Sequence, residues 1–223
     1  MTRWLTRELS QHGVGVRLPQ APFGPAVPVP LRLGRKAVAV GLAGVADPRG
    51  AGRVLRAIVR SGQSGPVDLA ARAVQWLVAQ HVTARAVSRS GVSLVDEGVV
   101  QALWSVGLRG DVEPVLAAVD TRRLAPPADL LVVAHVSPEL ALERLTARRS
   151  QHSRTQSLTT TEMSDELRRG VRLLDRLVDW WATGPGGPHE VFVVRGTEET
   201  SDDRDRLLQH VLAAASAGSH PPA

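Results

Sequence analysis

The order of apolar and polar positions predicts a chain in which helices alternate with short apolar strands. Trp4, Leu5 and Leu9 recur at helical spacing in residues 2–12, and Gly13 stops that helix. Residues 14–18 read as a short strand, and the five prolines of residues 19–30 as an extended loop. Residues 31–60 are apolar and alanine-rich, interrupted at Asp47-Pro48-Arg49-Gly50, which predicts two short helices. A long helix follows over 67–88, with Leu69, Ala73, Trp76, Leu77, His81 and Val82 on or near one face.

Residues 92–96 form a compact strand ending in Asp96, followed by Glu97 and Gly98. Helical spacing returns over 99–106, which carries Gln101 and Trp104, and again over 111–122. The run around Leu130-Leu131-Val132-Val133-Ala134 is the strongest strand in the chain, set within 128–135 and followed by a helix over 138–148. Residues 149–160 are polar and without periodicity. Thr159 and Glu162 then stand at capping-box spacing, before a helix striped by Met163, Leu167, Val171, Leu174, Val178 and Trp181. A turn over 184–188, a strand over 190–195 and a helix over 201–215 complete the order, with a disordered tail expected at 218–223. Strands that are apolar nearly throughout and alternate with helices indicate an α/β fold, a parallel sheet with helices on both faces. The 223 residues fit a single domain over 1–217.

Composition removes several chemistries. The chain has no cysteine, so disulfides, thiolate nucleophiles and cysteine-ligated metals are excluded. Lys36 is the only lysine among 27 cations, and any role that needs lysine falls to it. The first residues carry charge every few positions and lack the apolar core of a secretory signal. The apolar stretch 37–46 is far shorter than the ~20 residues that span a bilayer. A cytoplasmic protein without a membrane partner is expected. The net charge of +5 invites nucleic acid, but the signs are mixed and no run of five cations occurs, which argues against that partner.

Ligands of parallel sheets bind beyond the carboxyl ends of the strands. That points to Asp96-Glu97-Gly98, to His135-Val136-Ser137-Pro138 and to Arg195-Gly196-Thr197. A carboxylate directly after a buried strand can hold a magnesium-bound water or steer a phosphoryl acceptor. It can equally be a helix N-terminal anion worth a few tenths to about 1 kcal/mol. Arg148, Arg149 and Arg154 in a polar loop suit the clamping of a transferred phosphate, although an arginine-rich chain places arginines in solvated loops anyway. His81 and the tryptophans read as packing residues. The glycines around Gly41, Gly44, Gly50 and Gly52 only superficially suggest a phosphate loop, since Gly-Lys-Ser/Thr does not follow. Hydrolase elbows and His-Glu-x-x-His zinc sites do not occur.

The stretch Ala128-Asp129-Leu130-Leu131-Val132-Val133-Ala134-His135-Val136-Ser137-Pro138-Glu139-Leu140-Ala141-Leu142-Glu143-Arg144 resembles the strand and helix that lead into the lid of thymidylate kinase-like P-loop nucleotide kinases. Val95-Asp96-Glu97-Gly98 stands in the place of that family's Asp-Arg motif, and residues 2–18 are similar to the helix and second strand that follow its phosphate loop. The resemblance implies ATP and magnesium as cofactors, and a nucleotide and an unidentified phosphoryl acceptor as partners. It further implies Asp96 and Glu97 as catalytic residues, with Asp96 on magnesium through water. Arg148, Arg149 and Arg154 would form a lid over about 145–160, and Arg195 and Gly196 would contact nucleotide. A homodimer stays open.

Two departures qualify it. Glu97 replaces the family's arginine, which puts thymidine monophosphate in doubt. Before residue 2 there is no apolar strand and no Gly-x-x-x-x-Gly-Lys-Ser/Thr, the segment that would form the central strand between those ending at Asp96 and His135. An internal methionine at position 1 is therefore expected, and the chain as it stands should bind ATP weakly or not at all. Whether it is an enzyme depends on that segment. The rival expectation is an inactive kinase fold used as an interaction or regulatory module. An arginine-mediated nucleic-acid binder is the third.

Overall fold

A computed structural model describes residues 2–24, 26–87, 91–119, 129–147, 158–184, 190–195 and 201–217. The elements are helix α1 (Thr2–Gln11), strand β1 (Val16–Arg17), a 3-10 turn (Ala21–Phe23), α2 (Val29–Ala46), α3 (Pro48–Arg60), α4 (Pro66–Val87), β2 (Val92–Ser93), α5 (Val99–Gly107), α6 (Glu113–Ala118), β3 (Leu130–His135), α7 (Pro138–Ala147), α8 (Thr160–Thr183), β4 (Glu190–Arg195) and α9 (Ser201–Ala217). The fold is α/β and mostly helical. Its described strands form two parallel pairs, β1 with β2 and β3 with β4. Packing divides the chain into two compact units, Met1–Pro127 with Arg204–Ala223, and Ala128–Asp203.

The first unit is built by helices. α1 buries Leu5 and Leu9 and ends where Gly13 takes φ +75°, a conformation glycine reaches without a Cβ penalty. The Val14 amide then bonds back to the Leu9 carbonyl (3.0 Å), which turns the chain into β1. α2 and α3 are separated by one residue, Asp47. Its N–H caps the Ala43 carbonyl at the end of α2, and its carboxylate accepts from the Gly50 N–H (2.9 Å) at the start of α3. The two helices read as short are in fact 18 and 13 residues long, because alanine spacing sustains them through their glycines.

α3 turns Ala51, Val54, Ala57 and Ile58 inward, and packs on α4 and α6. α4 buries Trp76, Leu77 and Val82 and packs on α5, where Val99, Val100, Ala102, Leu103 and Val106 are all buried. α5 is thus the apolar centre of this unit. The helix expected over 111–122 shrinks to Glu113–Ala118. Asp111 accepts from the Glu113 N–H (3.0 Å) at its start, and Val119 leaves the helix in an extended conformation. On α9, Leu207, Leu208 and Val211 are buried, and the Arg204 guanidinium lies 5.7 Å over the Trp4 ring.

The second unit pairs β3 and β4 in register from Leu130 opposite Glu190 to His135 opposite Arg195. α7 packs on α8, and α8 reaches β4. The capping box forms as read: Thr159 Oγ1 accepts from the Glu162 N–H, while the Glu162 carboxylate accepts from the Thr159 N–H (2.9 Å). The buried stripe of α8 is Met163, Gly170, Leu177 and Trp181. It keeps the first and last residues of the expected stripe, while the middle passes one position over, through Leu177 instead of Val178. No described helix is long and apolar enough to cross a membrane.

Candidate functional site

β1 and β2 run parallel through only two residue pairs, Val16 with Val92 and Arg17 with Ser93. The ladder continues one bond further, from the Leu94 N–H to the Arg17 carbonyl (2.9 Å). This short pairing brings the loop after β1 beside the loop after β2. Gln20 closes the junction. Its Oε1 accepts from the N–H groups of both Asp96 (2.5 Å) and Glu97 (3.0 Å), and its Nε2 donates to the Glu97 carbonyl (2.5 Å). One side-chain amide therefore fixes the backbone of both acidic residues. The Thr2 hydroxyl donates to Asp96 Oδ1 (2.8 Å).

Both acidic side chains are exposed, and Asp96 keeps its second oxygen outside that hydrogen bond. Gly98 and Val99 then begin α5, with the Ala102 N–H bonding the Gly98 carbonyl (3.1 Å). Asp96 lies two residues ahead of that N-cap, and no described side chain caps the helix there. The arrangement is an exposed carboxylate on a pinned loop, able to orient a donor group or hold a hydrated cation from one side.

The remaining expected residues are distributed as follows. Arg148, Arg149, Arg154 and Gly196 lie outside the described residues. Arg195 ends β4, paired in register with His135. His135 Nε2 lies 3.4 Å from Asp175 on α8, an ion pair when the imidazole is protonated. The hydroxyl of Ser137 accepts from the Leu140 N–H (3.2 Å) and caps α7. His81 is half-buried on α4. Burial holds its imidazole below the ordinary histidine value, and the nearby Arg85 guanidinium adds to the effect. Trp76 and Trp181 are buried, as packing residues should be.

The glycine-rich start of α3 is not a phosphate cradle. The Asp47 carboxylate already occupies the Gly50 amide, and a Cβ at Gly50 would collide with it. A phosphate there would meet an anion. Lys36 lies half-buried within α2, away from any helix N-terminus. Among the described residues no group of three or more His, Asp or Glu side chains could hold a metal. The amides at the Asp96 loop are taken by Gln20. The described residues thus do not fit the phosphates of ATP.

Sequence reasoning missed Gln20 and Thr2. Gln20 sits in a proline-rich loop 76 residues from Asp96, with nothing in its spacing to mark it. No protein-family model, no curated protein and no solved structure matches the chain.

Proposed function

We propose that this chain has the frame of a thymidylate kinase-like protein of phosphoryl-transfer or nucleotide-hydrolysing type, and that its 223 residues as they stand bind ATP weakly or not at all. The strand pairing carries this reading. In the resembled fold one central strand would lie between the strand ending at Asp96 and the strand ending at His135, with helices on both faces. Among the described residues β2 and β3 belong to separate pairs, and each pair is parallel. Asp96, held at the end of β2 by Gln20, would orient the acceptor or a hydrated cation. Arg148, Arg149 and Arg154 would neutralise transferred charge, and Arg195 with Gly196 would contact nucleotide.

Two contacts favour a second reading, an inactive kinase fold serving as an interaction module. The Asp47 carboxylate fills the N-terminus of α3, and Gln20 occupies the amides after β2. Both readings share the frame and expect little or no ATP binding by these 223 residues; they differ in whether phosphoryl transfer or partner binding is the function. An experimental structure in which β3 and β4 run opposite to β1 and β2 would remove the frame. Calorimetric titration of magnesium-ATP into the 223-residue chain is expected to give no saturable heat, and micromolar affinity would overturn the binding-deficient part.

A further inference from the structure

Charge is distributed very unevenly along this chain. Residues 9–67 hold eight cations and a single acid, whereas the rest of the chain holds 19 cations and 21 acids. The one acid is Asp47, and its carboxylate is engaged at the Gly50 amide. Half of the eight cations stand on α3. Arg49, Arg53, Arg56 and Arg60 are spaced four, three and four residues apart, all exposed, opposite the buried Ala51, Val54, Ala57 and Ile58. At 3.6 residues per turn and 1.5 Å per residue, they make one straight row about 16 Å long.

No described acid lies within ion-pair distance of any of the four, and among the described residues none of them has another polar partner. Like charges at i,i+3 and i,i+4 weaken a helix. A solvent face serving only solubility would mix signs, as the face of α8 does with Asp165 beside Arg168 (3.5 Å). The row on α3 has internal repulsion and no internal relief.

We propose that the arginine row of α3 is a docking surface for the phosphate backbone of double-stranded DNA. Guanidinium forks bind phosphate oxygens in pairs, and release of condensed counterions from the duplex drives such contacts. Three features of the row select this partner. It holds no aromatic side chain on which an unpaired base could stack. Its guanidinium groups only donate, so no side chain of the row accepts the hydrogen of an RNA 2′-OH. The apolar face of α3 is spent on the protein core and is not free to enter a bilayer. The exposed Leu31, Val38, Leu42 and Val45 belong to α2, and nothing described shows what covers them. Because the contacts are to backbone alone, binding is independent of base sequence. The proposal does not depend on the kinase-like reading above.

Fluorescence anisotropy of a short labelled DNA duplex tests it, with the full 223-residue chain. Four neutralised phosphates should give a log–log salt slope of roughly −3 to −4, about a hundredfold loss of affinity between 50 and 200 mM salt. The R49Q/R53Q/R56Q/R60Q variant should lose that slope while melting at the same temperature or higher. R168Q/R169Q/R172Q/R176Q removes the same charge from α8 and should leave the slope unchanged. Equal loss in both variants would reduce the effect to net charge and overturn the assignment. So would absence of duplex binding, tenfold tighter binding to an RNA duplex of the same sequence, or binding to phosphatidylserine-containing vesicles but not to the duplex.

Discussion

α3 and α8 are both amphipathic helices with one buried stripe and one charged face, yet their charges serve opposite ends. On α8 acids and arginines are mixed, Asp165 pairs with Arg168, and Glu162 closes the N-terminus in a capping box. Those charges hold the helix together. On α3 every charged side chain after the cap is an arginine, and the cap residue Asp47 is the one acid at that helix. There the apolar face and the cap must hold the helix in spite of its charges. A charged helix face therefore carries information in its sign pattern as well as in its amount of charge.

The largest expected effect tests whether the apolar stripes hold both helices. Ile58→Ala on α3 and Leu177→Ala on α8 each remove a fully buried side chain, and each should cost about 2–5 kcal/mol in chemical denaturation. Next come the caps. Asp47→Ala and Thr159→Ala should each cost about 1 kcal/mol. The Asp47 cost should grow at low salt, because that variant also removes the one acid at the start of the arginine-bearing helix. The Thr159 cost should depend little on salt. An equal salt response in the two variants would erase the distinction.

Charge reversal gives a smaller effect of opposite sign. Arg53→Glu should raise stability by about 0.5 kcal/mol, by replacing repulsion with attraction to Arg49 and Arg56. Arg168→Glu should lower it by about 0.3 kcal/mol, by placing a like charge beside Asp165. Thermal melts at low salt resolve the sign, and a shared sign would break the comparison.

Acid supplies the smallest test. Hydrogen bonds from the Thr159 side chain and then its backbone hold the Glu162 carboxyl below the ordinary glutamate range. The folded value is the lower one, so this contribution is complete above the ordinary glutamate value and is lost as pH falls through the depressed value. Glu162→Gln should flatten that part of the pH–stability profile.

Much of this architecture was legible because the deciding signals are local. Gly13, Asp47-Pro48 and the Thr159/Glu162 pair mark helix ends through bonds made within a few residues. β4 falls on the expected residues 190–195, and the Leu130–Ala134 run forms the heart of β3. β1 and β2 are shorter than their apolar runs predict, because an apolar run does not say how many of its residues find a partner strand. The Asp96 loop was legible as a strand end, but its clamp was not. Gln20 acts across 76 positions of sequence, through a bond that only the fold creates. The arginine row escaped for a different reason. A search for contiguous cations finds none, because a helix gathers residues four, three and four apart onto one line.

The single-residue joint at Asp47 works like a gear between two shafts. With no linker to absorb a change, one inserted residue would turn α3 by about 100° against the phase set by α2. Either Val54 and Ile58 would leave the core, or the whole cap would have to be rebuilt. The side chain at this corner can be exchanged at the modest cost of a cap. The length of the chain there is far more tightly constrained, and an insertion scan through residues 45–49 should find it the least tolerant turn in the first unit.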